Sequence, residues 1–309
     1  MKTNKTVTHF TTLGLTLILI FTLLTGCGTN NESATDSKAN ATPEIAIEDS
    51  DIASTETPIA SGERISIKVG ICAGPYEDLF RDAIEPSLYE KGYDIEYLQF
   101  SDYVQPNKAL ADGAIDVNLF QHAIYLNNFS KEHGLDLVYL TEVPTAGMGI
   151  FGDNLTTIND LPEGATVALP NDITNLARAI RVLEQAQIVT IDPTVDPNEA
   201  TQYTLSNNPK NLSFIEIEAP QLPRSLDSVD IAVINGNFAI GAGLNLADAL
   251  YNEELQEGYL NVIAVRAEDA DSELANDIVA AVHSDAFRSV IEDDAKPYTS
   301  FFKPANYAQ

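Results

Sequence analysis

Basic residues are scarce in this sequence. The 309-residue chain carries 17 Lys and Arg against 46 Asp and Glu, a formal charge of −29. Such a surface repels a polyphosphate backbone, because nucleic-acid binding depends on cations that displace condensed counterions. Nucleic acid is therefore excluded as a partner and polyanions are disfavoured, although one well-placed arginine can still hold a small carboxylate. Long apolar runs are also missing: residues 13–24 form a stretch of 12, short of the roughly 20 that a membrane-spanning helix needs. Histidine beyond the first segment is limited to His122, His133 and His283, on different predicted elements and without the neighbours a zinc site requires. The chain has no G-x-S-x-G, no P-loop, no H-E-x-x-H and no Rossmann glycine fingerprint, so no enzyme activity, metal or cofactor is expected. The acid pair Asp293-Asp294 reads as a solvated face.

What is present is ordinary globular material. Hydrophobic residues make up 44% and charged residues 20%, and the length suits about two domains with buried cores. At the start, Lys2 and Lys5 precede the short apolar run, which closes on Leu24-Thr25-Gly26-Cys27. This pattern reads as a signal peptide over residues 1–26, and its end resembles the bacterial lipobox, in which a peptidase cuts before a lipid-modified cysteine. Cys27 is accordingly the expected lipidation site, leaving Cys72 as a small core hydrophobe with no partner for an intrachain disulfide. Residues 27–64 are rich in Ser, Thr, Ala, Asn and acid with no aromatic ring, too little apolar surface to offset ordering entropy. They read as a tether that holds the following domain at the extracytoplasmic face of the cell membrane.

Beyond the tether, alternating apolar residues predict strands at 65–71, 94–100, 115–120, 137–142, 147–151, 166–169, 214–217, 231–234 and 261–266. Helical spacing falls at 77–91, interrupted by Pro86, and at 106–111, 123–132, 174–187 and 272–282. Strands that alternate with helices imply an α/β fold with parallel sheets. In open sheets of this kind, ligands bind at the carboxyl ends of strands, which singles out residues after Phe120, Leu169 and Ile234.

Each of those strand ends carries usable chemistry. Phe120-Gln121-His122-Ala123-Ile124-Tyr125, together with Tyr103 after the preceding strand, offers rings that can form an apolar slot with polar tips. Ordinary core packing is the alternative for each residue singly. Asn171-Asp172-Ile173-Thr174-Asn175 runs into a predicted helix, where free N–H groups and the fork of Arg178 suit a carboxylate. A surface salt bridge is the competing reading for Arg178. Asn235, after a buried strand, can accept a hydrogen bond from an ammonium group or can simply form a turn.

A series of strings then carries a resemblance: Val69-Gly70, Gly74-Pro75, Phe100-Ser101-Asp102-Tyr103-Val104-Gln105-Pro106-Asn107, Phe120-Gln121-His122, Pro170-Asn171-Asp172-Ile173-Thr174-Asn175, Asn208-Pro209-Lys210-Asn211-Leu212, Ala219-Pro220-Gln221-Leu222-Pro223-Arg224 and Val233-Ile234-Asn235-Gly236-Asn237. In this order and spacing the chain resembles the NlpA-type methionine-binding lipoproteins. The resemblance implies a periplasmic-binding-protein fold of two α/β lobes, each a mainly parallel sheet flanked by helices, with a ligand cleft between them. One lobe would take residues 65–145 plus 246–309 and the other 146–245. It further implies a monomer that passes an apolar amino acid, usually methionine, to an ABC permease and its ATPase. Tyr103, Phe120, His122 and Tyr125 would line the side-chain slot, and Asn175, Arg178 and Asn235 would hold the amino and carboxylate groups. A methionine-containing dipeptide is the alternative ligand, and a surface adhesin or sensor the alternative role. The chain departs from the family pattern at Tyr76, where His is common after Gly-Pro, and at Ala123-Ile124.

Overall fold

A computed structural model describes residues 64–305 and Tyr307. The expected signal peptide, Cys27 and the tether up to residue 63 lie outside the described residues. Order begins where alternation begins. Strand β1 (Ile65–Cys72) buries one face at its start and both faces at its end, because it lies between two neighbours and under helices. Helices α1 (Tyr76–Ala83) and α2 (Glu85–Glu90) fill the predicted helical stretch and divide it near Pro86, since Pro86 fits the first turn of a new helix but not the interior of a continuing one. Next come β2 (Tyr93–Phe100), α3 (Gln105–Ala111), the wholly buried β3 (Val117–His122), α4 (Ala123–His133) and β4 (Leu137–Val143). Helix α4 ends on Gly134 at φ 65°, a left-handed cap that glycine adopts without strain.

The chain continues through β5 (Gly149–Phe151), β6 (Thr166–Pro170), α5 (Ile173–Gln185), the short hairpin of β7 (Thr190–Ile191) and β8 (Leu205–Asn207), and β9 (Ser213–Ile217). It then forms α6 (Leu222–Ser225), β10 (Ile231–Ile234), α7 (Gly236–Gly241), β11 (Tyr251–Asn252), β12 (Asn261–Arg266), α8 (Glu273–Val282) and α9 (Asp285–Ile291). Side-chain caps from Asp172, Ser272 and Ser284 start α5, α8 and α9, each contributing about 1 kcal/mol.

Two five-stranded sheets result, ordered β2-β1-β3-β12-β4 and β11-β5-β10-β6-β9. In the first, β12 runs antiparallel to both β3 and β4, and β1 is parallel to β2 and β3. In the second, β5 runs antiparallel to β10 and β11 while β6 is parallel to β9 and β10. Each sheet is thus mainly parallel with one inserted antiparallel strand. That strand is in both cases the first one made after the chain arrives from the other lobe, which reverses its direction. The expectation of parallel sheets holds for the other strands. The chain passes from the first sheet to the second over residues 144–148 and returns over 253–260.

Tyr251 and Asn252, within the segment expected in the first lobe, pair with Ile150 and Gly149 of the second sheet. A two-residue strand has no periodicity to read, so its pairing is decided by proximity alone. Separate apolar cores stand behind the sheets. Ile71, Leu79, Phe80, Ile263 and Phe287 centre one, and Ile150, Val167, Leu169, Ile180 and Val233 the other.

Candidate functional site

The carboxyl ends of β3, β6 and β10 face one another between the lobes, and the residues after them line one shared cavity. All seven residues singled out in the sequence border it: Tyr103, Phe120, His122 and Tyr125 from the first lobe, Asn175, Arg178 and Asn235 from the second. These side chains are 9% exposed or less. The rings of Tyr103 and Phe120 lie 5.6 Å apart, Tyr103 and Tyr125 5.8 Å, and Tyr103 and Phe238 4.9 Å. These are the offset and edge geometries in which aromatic pairs attract. Together they make one wall of the cavity apolar and polarizable.

The opposite wall is polar. His122 accepts a hydrogen bond at Nδ1 from the Tyr125 N–H at 3.0 Å, so its proton sits on Nε2, 3.3 Å from Asn175 Oδ1. Burial, with the Arg178 charge adding to it, pushes the His122 pKa well below the usual imidazole range, and the ring is neutral. Asn175 Oδ1 also accepts from Asn235 Nδ2 at 2.8 Å, while Asn175 Nδ2 donates to the Asp172 carboxylate at 3.0 Å. Asn235 starts α7 directly after β10, and its own Oδ1 is buried with no hydrogen-bond partner. Leaving such an acceptor unmet costs roughly 1–3 kcal/mol.

Arg178 does not stand free. Its Nε and one Nη meet both carboxylate oxygens of Glu253 at 2.8 and 2.7 Å, with side chains only 5% and 2% exposed. The same carboxylate accepts from the Met148 N–H at 2.8 Å. Burial opposes the Arg178 charge, but Glu253 outweighs it and the net direction is upward, keeping the guanidinium charged. The competing reading of Arg178 as a salt-bridge residue is therefore half right: the bridge exists, buried instead of on the surface, and the rest of the fork still borders the cavity.

Hydrogen bonds close the lobes over this space. Tyr103 donates from its hydroxyl to Asn237 Oδ1 at 2.6 Å, and Asn237 Nδ2 donates to the Ala73 carbonyl at 3.0 Å. Glycine is needed at two of these approaches. Gly74 sits at φ 125° with a Cβ position 2.5 Å from the Asn237 carbonyl, and a Cβ on Gly236 would lie 2.4 Å from the Gly147 carbonyl. The outward crossing is tied to the start of β12, since Asn261 N–H donates to Thr145 Oγ1 at 2.7 Å.

Sequence reasoning missed several residues here. Glu253 carried no local signal, because its partner lies far off in the chain, and Asn237 stood in a quoted string with no role assigned to it. Tyr76, noted only as a departure, borders the cavity and accepts from the Ala146 N–H at 3.1 Å, its pKa raised by burial to about 12. Gln121 also borders it, but its amide is bonded to Asn107 and Asn118. The string at Asn208 to Leu212 builds a turn, with Asn208 clasping Leu212 at 2.9 and 3.0 Å, and lies outside the cavity wall. Cys72 is buried with its thiol pKa pushed up by burial, a core residue without nucleophile chemistry. Among the described residues no group of three His, Cys, Asp or Glu could hold a metal ion.

Chemically, the cavity offers an arginine fork paired with a carboxylate, an unmet acceptor and an apolar aromatic wall. Comparison with known proteins bears on what fills it. A profile of the NlpA lipoprotein family matches residues 67–305. The chain is 36% identical over 222 residues to the D-methionine-binding lipoprotein MetQ of Salmonella typhi, covering 71% of this chain and 82% of that one. Among solved structures, a nutrient binding protein from Burkholderia cenocepacia bound to methionine is 36% identical with a TM-score of 0.69, covering 74% of this chain and 95% of that one. The substrate binding protein of a methionine transporter from Streptococcus pneumoniae is 34% identical with a TM-score of 0.68, covering 74% and 92%.

Proposed function

The chain belongs to the NlpA lipoprotein family, and from that premise we propose that it is a solute-binding protein that closes on an apolar amino acid, first of all methionine, and passes it to an ABC importer. The observation that carries the reading is the pairing of opposites within one cavity. Asn235 Oδ1 is a buried acceptor without a donor, and an α-ammonium group would supply one. Arg178 presents the remaining N–H groups of its fork to a carboxylate. The rings of Tyr103, Phe120 and Tyr125 would enclose a linear thioether, whose sulfur gains about 0.3–1.5 kcal/mol against an aromatic edge. His122, neutral and donating to Asn175, would orient the polar wall without adding charge.

In this reading residues 65–145 and the chain after the return crossing form one lobe, and 146–252 the other. The protein acts as a monomer, held by lipid on Cys27 at the extracytoplasmic face of the membrane, with the permease and its ATPase as partners. Relatives named for binding and not for a reaction favour delivery over turnover.

Mass spectrometry of small molecules released from the denatured, purified protein tests the ligand directly. Methionine is expected, and in competition against labelled methionine, norleucine should displace measurably, alanine far less and glutamate not at all. A missing group in an apolar slot costs about 1–3 kcal/mol, while a buried unpaired charge costs more. Better displacement by glutamine or by a methionyl dipeptide than by methionine would refute the ligand assignment.

A further inference from the structure

We propose that Glu253 sets the charge class of the ligand: by neutralising Arg178 within the cavity wall, it makes the site select zwitterions over free anions such as the 2-hydroxy acids that correspond to the same amino acids. The proposal rests on the reading that the cavity takes an amino acid.

A lone buried arginine is a general anion site, because its charge is undiminished by water and its fork fits any carboxylate. Here both carboxylate oxygens of Glu253 face the fork at 2.7 and 2.8 Å, and the pair is nearly inaccessible to solvent. Water cannot screen one partner from the ligand more than the other. The ligand therefore meets a neutral pair whose Arg178 edge points inward, a strong donor with little net field. The other charges nearby do not restore a positive site. Asp172 backs Asn175 as a carboxylate, and Arg181, one turn beyond Arg178, is half-buried and held by Asn198 and the Tyr259 ring. His122 stays uncharged under burial. One cation thus faces two carboxylates. A ligand bearing only a carboxylate adds a third negative charge to that set, whereas an amino acid brings its own ammonium to the Asn235 acceptor.

Glu253 is held for this role by the fold. It follows β11 at the start of the return crossing, and its Oε2 also takes the Met148 N–H of the outward crossing. The residue is a positioning and charge-setting group that acts through Arg178, without a ligand contact of its own.

The test is titration calorimetry on the ligand-stripped full mature protein. The probes are methionine and 2-hydroxy-4-(methylthio)butanoate, which differ by an ammonium against a hydroxyl. For the wild type the hydroxy acid should bind at least ~100-fold more weakly, having exchanged the charged donor to Asn235 for a neutral hydroxyl and lost charge balance. Glu253→Gln removes the charge at nearly constant shape, and the hydroxy acid to methionine ratio should fall by ~10-fold or more, since one unit charge a few ångströms away has at least that effect. Glu253→Asp keeps the charge and should leave the ratio within ~3-fold of wild type even where both affinities drop. A ratio that is unchanged in Glu253→Gln, or that falls equally in Glu253→Asp, overturns the proposal and leaves Glu253 as a structural brace. Should Glu253→Gln not fold, a wild type that binds the hydroxy acid nearly as well as methionine overturns it too. A folded wild type that binds neither compound instead refutes the function proposed for the cavity.

Discussion

Replacing Arg178 by methionine removes a charge but keeps length and apolar volume, so its effect on stability isolates the buried pair. In the folded chain the Glu253 carboxylate, 2% exposed, would keep only the Met148 N–H as a partner and lose two charge-assisted bonds of 2.7 and 2.8 Å. Breaking a buried pair from one side costs about 3–5 kcal/mol, because the remaining ion is stranded away from water. For a domain of this size, 1 kcal/mol moves the midpoint by about 2–4 °C, so Arg178→Met should melt about 6–20 °C lower in the absence of ligand. The double variant Arg178→Met with Glu253→Gln strands no ion and should recover at least half of that loss. Thermal and urea denaturation of the wild type, the single and the double variants decide the matter, with the ligand removed beforehand so that binding does not add to the apparent stability. A single variant within about 1 kcal/mol of wild type, or a double variant less stable than the single, would falsify the reasoning that the pair is closed to solvent.

Two further outcomes follow from the same geometry. Gly236→Ala places a methyl group 2.4 Å from the Gly147 carbonyl and 2.8 Å from Ala146, which only a backbone shift can relieve. It should cost about 1–3 kcal/mol and weaken methionine binding, and normal values in both denaturation and calorimetry would show that the outward crossing is more pliant than its packing indicates. His122 is held neutral well below its usual pKa, so below about pH 6.5 the unfolded chain takes up a proton that the folded chain refuses. Stability is then fully present above that pH and falls by about 1.4 kcal/mol per pH unit as the solution is acidified. His122→Asn should flatten that slope between about pH 6.5 and 5, and an unchanged slope would assign the acid sensitivity to another group.

The elements of this protein were legible in its sequence because they are local. Alternation placed β1, β10 and β12 closely, Pro86 marked the break between α1 and α2, and polar residues at three strand ends marked the cavity before any contact was known. Those signals depend on neighbours within a few positions, and the aromatic residues Tyr103, Phe120 and Tyr125 could be grouped because strand ends of one sheet converge. Direction and distance along the chain were another matter. Nothing near Asn261 says that β12 must run antiparallel, and nothing near Tyr251 says that it pairs with Ile150, because a strand's partners are chosen by where the crossings deliver it. The same holds for the chemistry of Arg178. The sequence determined that a guanidinium stands in the first turns of α5; only the tertiary structure brought Glu253, 75 positions later, into contact with it. A buried charge takes whichever counter-charge the fold carries to it, and that choice decides whether the cavity presents a free cation or a neutral pair.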